Sequence, residues 1–314
     1  MNTQSNAMPD FPRDPQASAP LAMSETRPLY WSIQRELWEN RSIYIAPLIA
    51  GGVYLLGYTI SLLWLPRMMR EWAELDPMQQ RMKLAEPYAH AGMLVALVAF
   101  IVGIFYSLDA LHGERRDRSI LFWKSLPVSD LTTVLSKASV PLLILPALVF
   151  VISVAVQWIM FVMSSAAFLL SGVGHAMPWA PPLLEMEVVL LYGVIVLVLW
   201  HAPVYCWMLL VSGWARRAAF LWAVLPPIAV GAFEVIAFHT THFGKMMGDR
   251  LFGFASGAFD LVDPNGVPID AHFIPLSRLA PLRFLGSPGL WLGLLFAAIC
   301  VAAAVRLRRY QGPI

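Results

Sequence analysis

Residues able to do chemistry are few in this chain and unevenly spread. Its 314 residues hold 22 Lys and Arg, 20 Asp and Glu, seven His and two Cys. The densest group is Glu114, Arg115, Arg116, Asp117 and Arg118, within a polar stretch that runs from His112 to Lys137 between two long apolar runs. Elsewhere Glu234 and His201 stand alone in apolar surroundings, and His239 and His242 are three residues apart. That His spacing suits a metal, but a third ligand or an adjacent Glu is missing. No G-x-x-x-x-G-K-[ST], no H-E-x-x-H and no pair of intramembrane aspartates occurs. The chain is therefore expected to carry no catalytic residue, no metal site and no cofactor of its own. A net charge of +2 gives no bulk attraction for nucleic acid.

The elements that must position these residues are greasy. Hydrophobic residues make up 58% of the chain and charged ones 13%, which excludes an ordinary soluble domain. A span needs roughly 20 apolar residues. Six stretches qualify, at about 43–65, 89–111, 138–168, 187–212, 218–238 and 289–305. The reading is an all-α polytopic membrane protein with six transmembrane helices. Basic residues set its orientation. Arg13, Arg27, Arg35 and Arg41, the five between 115 and 137, Arg216, Arg217, and Arg306, Arg308 and Arg309 fall on one side. The positive-inside rule puts that side, and both termini, in the cytoplasm.

Residues 1–27 are rich in Pro, Ser, Asp and Gln, with no apolar h-region, and are expected to be a disordered cytoplasmic tail without a cleavable signal peptide. Residues 28–42 have the pattern of an amphipathic helix lying in the interface. Tyr30, Ile33, Leu37 and Trp38 share one face, flanked by Trp31, and Gln34, Arg35, Glu39 and Arg41 take the other; Asn40-Arg41-Ser42 breaks it from the first span. The transmembrane domain then covers 43–306, with a tail at 307–314. Between the first two spans, Pro77 and Pro87 bracket a short outer helix expected around Met78–Leu84. A segment of about fifty residues, 239–288, follows the fifth span, and its LFGFASGAF stretch is apolar but too short to cross, so it reads as re-entrant or interfacial. Cys206 and Cys300 fall inside spans and read as small apolar residues.

Within the polar stretch, Ile120, Leu121, Trp123 and Leu126 form an apolar set on a helix over 117–126, which Pro127 ends. Ser129 or Asp130 then caps a helix leading into the third span. The product is a short helix across the membrane face, a tight turn and a span, a knob able to pass motion to the bundle.

The run ERRDRSILFWKSLPVSDLTTVLSK resembles the cytoplasmic loop of bacterial ABC type-2 exporter permeases. There an E-R pair precedes S-L-P-(V/I)-S and a Lys; here these are Glu114, Arg115, Ser125, Leu126, Pro127, Val128, Ser129 and Lys137. The layout of elbow helix, six spans and long outer segment is similar too. The chain departs from the pattern where many members have Gly after the E-R pair and it has Arg116-Asp117-Arg118. The resemblance implies a permease of an ATP-driven exporter, paired with a second permease copy and seated on two ATP-binding subunits that hold the ATP and Mg. It implies that the loop, 112–137, is the coupling contact, with Arg116, Asp117, Trp123, Lys124 and Asp130 joining the motif residues, and that Trp31, Leu37 and Trp38 lie on the elbow.

The isolated polar residues admit two readings each. Glu234 lines a translocation path or dimer interface, or is structural and reaches toward the outer surface. His201 either serves the path or packs, its imidazole donating to a carbonyl that Pro203 frees one turn back. Gly51, Gly52 and Gly57 let the first span approach another helix closely, which in the family is a dimer contact. A secondary transporter or channel is the alternative, and would draw on Glu234 and His201.

Overall fold

The computed structural model describes residues 26–72, 74–125, 128–171, 181–261 and 274–312; most of the 1–27 tail lies outside these. Among the described residues the chain is helical, with one isolated antiparallel bridge between Phe259 and Leu279 and no strand. Six helices are long and apolar enough to cross a bilayer: Ser42–Trp64, Pro77–Arg116, Asp130–Leu170, Leu183–Trp214, Ala219–Phe238 and Pro288–Tyr310. The shortest, at 20 residues, reaches about 30 Å at 1.5 Å per residue. This is an all-α, multi-pass membrane protein.

Helix α1, Thr26–Glu39, stops at Asn40, and α2, Ser42–Ser61, starts the first span. A short α3, Leu65–Trp72, follows. The second span, α4, is one helix over Pro77–Asp109. Asp76 accepts from the Met78 and Gln79 amides and Pro77 takes the first position, so α4 starts there with strong signals. Met78–Leu84 is thus the first turns of α4, not a separate outer helix, and Pro87 is accommodated inside it.

After α4 come α5, His112–Arg116, and α6, Ile120–Ser125. Ser129 then caps α7, Asp130–Ser139, by accepting from the Thr132 amide at 3.0 Å. A wide π turn over Val140–Ile144 joins α7 to α8, Leu145–Ser171. Pro141 and Pro146 lack N–H groups, and beside them the Leu145 amide bonds the Val140 carbonyl five residues back. The third span helix therefore begins at Asp130, with the expected cap falling on Ser129, and residues 130–137 form its first turns.

The fourth span, α9, covers Leu183–Trp214, and the fifth, α10, covers Ala219–Phe238. Between them the chain turns within four residues, with Ala218 in the left-handed region at φ 48°. Helices α11, His242–Phe252, α12, Phe254–Ala258, and α13, Pro281–Leu285, lead to the sixth span, α14, Pro288–Tyr310.

The core lies between α2, α4, α8 and α9, around Ile43, Ala91, Val95, Ala99, Val156 and Met160. Helix α14 packs along α9 through small residues, with Ala297 and Cys300 against Ala202 and Cys206; both thiols are free. Helix α10 stands at the edge, touching its neighbours through Ala219 and Ala223. Pro227 cannot donate to the Ala223 carbonyl one turn back, and the Trp207 indole does so instead, at 3.0 Å.

The segment after α10 folds back beside the spans. The Arg250 guanidinium lies over the Trp200 ring at 4.5 Å and donates to the carbonyls of Trp200 (3.2 Å) and Gly289 (2.6 Å). Gly293 makes room for it, since a Cβ there would lie 2.6 Å from Arg250 Nη2. Trp200 is roughly 25 Å along α9 from its first residue, so α11 and α12 dip well below that end of the helix.

Candidate functional site

The end of the bundle that carries α5 and α6 concentrates charge inside the protein. Glu36, on α1, is 1% exposed, Glu114 8%, Lys137 3% and Arg308 5%. These four come from α1, α5, α7 and α14, and none could be buried alone without severe cost. Each is paired. Lys137 Nζ donates to Glu36 Oε1 at 2.9 Å and lies 3.2 Å from Glu114 Oε1. The Tyr106 hydroxyl donates to Glu36 Oε2 at 2.8 Å. Arg35 Nη2 bridges Glu36 (2.8 Å) and Glu114 (2.9 Å), and Arg308 donates to the other Glu114 oxygen. Arg308 Nε is also 3.3 Å from Asp130. The carboxylates of Glu36, Glu114 and Asp130 thus balance Arg35, Lys137 and Arg308. Burial opposes the Arg35 charge, but the carboxylates of Glu36, Glu39 and Glu114 outweigh it and raise its pKa above the ordinary guanidinium value.

Backbone polar groups finish the junction. The Ser212 hydroxyl of α9 accepts from the amides of Leu111 and His112, both at 2.9 Å, at the start of α5. Arg115 reaches the other way. Its Nη1 donates to the carbonyls of Gly213 (2.6 Å) and Ala215 (3.2 Å), and its Nε to Gly312 O at 3.3 Å. A guanidinium at the C-terminal end of a long helix satisfies carbonyls that have no partner in the helix and suits its dipole.

The expected coupling residues therefore divide. Glu114, Arg115 and Lys137 face inward and hold α5 to α1, α7, α9 and α14; as placed, they offer no surface to a soluble partner. Arg116 and Asp117 are exposed, with Arg116 3.1 Å from Asp117 and 3.6 Å from Asp109. Trp123 is half-buried under Arg35, 3.8 Å from guanidinium carbon to ring. Lys124 is exposed and donates to Gln311 O at 2.9 Å, and Ser125 bonds the Phe122 carbonyl. Ser129 is exposed at the cap and Asp130 half-buried beside Arg308. Leu126 and Pro127 lie outside the described residues. Leu121 and Phe122, apolar and each 59% exposed, stand on α6 beside the charged group.

Glu36, Arg308 and Tyr106 were not legible as site residues. A Glu among polar neighbours on an amphipathic helix reads as solvated, yet it is the most buried acid here. On α1, Leu37 packs against the core while Trp38, expected on the same face, is exposed at 66%, as Trp31 is at 55%.

The other candidates are engaged elsewhere. Glu234 accepts from the Thr240 hydroxyl (2.7 Å) and from the amides of His242 (2.7 Å) and Phe243 (2.8 Å), and so caps α11. His201 is buried between Phe100 and Phe254, with Nδ1 2.8 Å from Leu197 O and Nε2 3.1 Å from Leu251 O. Its partners are not the Leu199 carbonyl that Pro203 leaves free. Gly51 and Gly52 separate too. A Cβ on Gly51 would lie 2.9 Å from Val156 Cγ2, inside the α2–α8 contact, whereas Gly52 and Gly57 meet nothing within 4 Å.

The arrangement is that of a multi-pass helical membrane protein with an ion-paired junction at one end. No family model, no curated protein and no solved structure matches the chain.

Proposed function

We propose that this chain is the permease subunit of an ATP-driven ABC exporter of the type-2 class, set in a bacterial cytoplasmic membrane with both termini in the cytoplasm. The supporting observation is the junction. Buried ion pairs join the α5–α6 loop to the elbow helix and to the third and sixth spans, while Leu121 and Phe122 stay exposed beside it. A load applied to α6 by a soluble subunit would be carried by Glu114 into α1, α7 and α14 together, because each helix holds one end of a short ion pair. ATP and Mg would be bound by two partner ATPase subunits, and a second copy of this chain would complete the channel. The apolar, aromatic-rich spans favour an amphiphilic substrate such as a drug, peptide or lipid-like molecule. The basic residues on this end support its cytoplasmic placement. The alternative, an ion-coupled secondary transporter, would rely on Glu234 and His201, whose polar atoms contact groups within the chain.

The test is co-purification with candidate ATP-binding subunits and measurement of ATPase activity. Activity in a stable complex with wild-type chain is expected. The double substitution Leu121→Asp and Phe122→Asp should abolish complex formation while the thermal midpoint of the chain alone stays unchanged. Full activity in that variant, or no complex with any candidate subunit, would sink the reading.

A further inference from the structure

The turn between the fourth and fifth spans holds two exposed guanidiniums, Arg216 and Arg217. Among the described residues, no carboxylate lies within ion-pair distance of Arg216 or Arg217. Arg115 is spent on backbone carbonyls, and it and Arg216 repel one another across this corner. Arg216 lines a groove of about 300 Å³ with Trp214, Trp222 and Gln311, at the lower end of ligand-site sizes. The two indoles pack edge to face, 4.9 Å between centroids, and are 47% and 49% exposed. Trp214 is the last residue of α9 and Trp222 lies in the first turn of α10. The groove is therefore at the ends of two spans, where amphipathic rings sit at headgroup level. No side chain caps the first turn of α10, so that 20-residue helix directs the positive end of its dipole to this corner.

We propose that this groove binds the headgroup of an anionic phospholipid of the phosphatidylglycerol kind. Arg216 in the groove takes the phosphate, Arg217 beside it in the turn adds positive charge, and the indoles hold the glycerol and upper acyl carbons. Unpaired guanidiniums select a phosphate, and the indoles distinguish a lipid from a free anion by adding apolar contact. A zwitterionic lipid brings its own cation toward Arg216 and is disfavoured. The inference does not depend on a partner ATPase.

Native mass spectrometry of the full chain in detergent, titrated with phosphatidylglycerol or phosphatidylcholine, tests it. One saturable phosphatidylglycerol adduct is expected, at least about tenfold tighter than phosphatidylcholine, and weakened at least about tenfold by Arg216→Gln with Arg217→Gln. Both side chains are exposed, so the variant should fold, and an unchanged thermal midpoint verifies this. Trp222→Leu, which retains both charges, should weaken phosphatidylglycerol but leave binding of inorganic phosphate as it was. Equal binding of the two lipids overturns the proposal, as does a loss of the same size from Arg67→Gln at the opposite end. Inorganic phosphate displacing the lipid, with the same dependence on Arg216 and Arg217 and none on Trp222, would make the groove a site for a free anion and overturn the lipid assignment.

Discussion

The two ends of the bundle are held together by different chemistry. At the α5–α6 end, charged side chains distant in sequence meet in the interior: Glu36 with Lys137, 101 residues apart, and Glu114 with Arg308, 194 apart. At the opposite end distant side chains also meet, but mostly as neutral hydroxyl contacts such as Tyr58 and Tyr88 on Ser164, and the long-range ion pair of Arg81 with Glu185 is 4.0 Å long and partly exposed. Glu234 caps a helix that starts eight residues later, by accepting from the His242 and Phe243 amides. Side-chain ion pairs in low dielectric tolerate little displacement, because separating one strands a charge. Carbonyl contacts and caps can be exchanged for water or another carbonyl at small cost. The first end is therefore braced by buried charge, and the second by neutral hydrogen bonds, caps and exposed pairs.

The contrast can be broken most severely by Glu114→Ala. It leaves Arg308 with Asp130 alone and Lys137 with Glu36 alone, and a loss of about 3–5 kcal/mol is expected in detergent denaturation. Adding Arg308→Met should recover part of that loss, since it removes the cation that lost Glu114. Next comes Gly51→Leu, which forces a side chain into Val156 and Ile152. It should cost about 1–3 kcal/mol by overpacking, whereas Gly52→Leu, on the open face, should leave the midpoint of the monomeric chain unchanged. Trp207→Phe removes the donor to the Ala223 carbonyl and should cost about 1 kcal/mol, with faster amide exchange along α10. The smallest effect is expected at the opposite end. Glu234→Ala should raise exchange at the His242 and Phe243 amides and leave the global midpoint where it was; a large fall in midpoint would show that this end is as tightly coupled as the other.

The spans were legible because length and hydropathy alone decide whether a helix can cross a bilayer, and a break at Asn40 is written in local residue types. Helix starts were less so. The Asp76-Pro77 signal marks the beginning of α4, but Pro87 ten residues later suggested two elements where the bilayer-spanning helix absorbs the proline. The charged loop was legible as a place, through Glu114 to Arg118, though not as an interior. Glu114 and Lys137 stand out as polar residues next to apolar runs, and polar residues there are ordinarily solvated. Their burial is decided by Glu36 and Arg308, which only the tertiary fold brings near. Likewise Gly51 and Gly52 are identical in sequence terms, and a rotation of about 100° between neighbours on a helix sends one into the bundle and the other out of it.

Arg308 has a consequence for biogenesis. Chains emerge from the ribosome N-terminal end first, so Glu36, Glu114 and Asp130 are made long before it. Until residue 308 is synthesised, the group holds three carboxylates against two cations, and Glu114 lacks its Arg308 partner. The closing charge arrives with the last turn of the last span, so the buried group reaches its full set of partners only when the chain is almost complete.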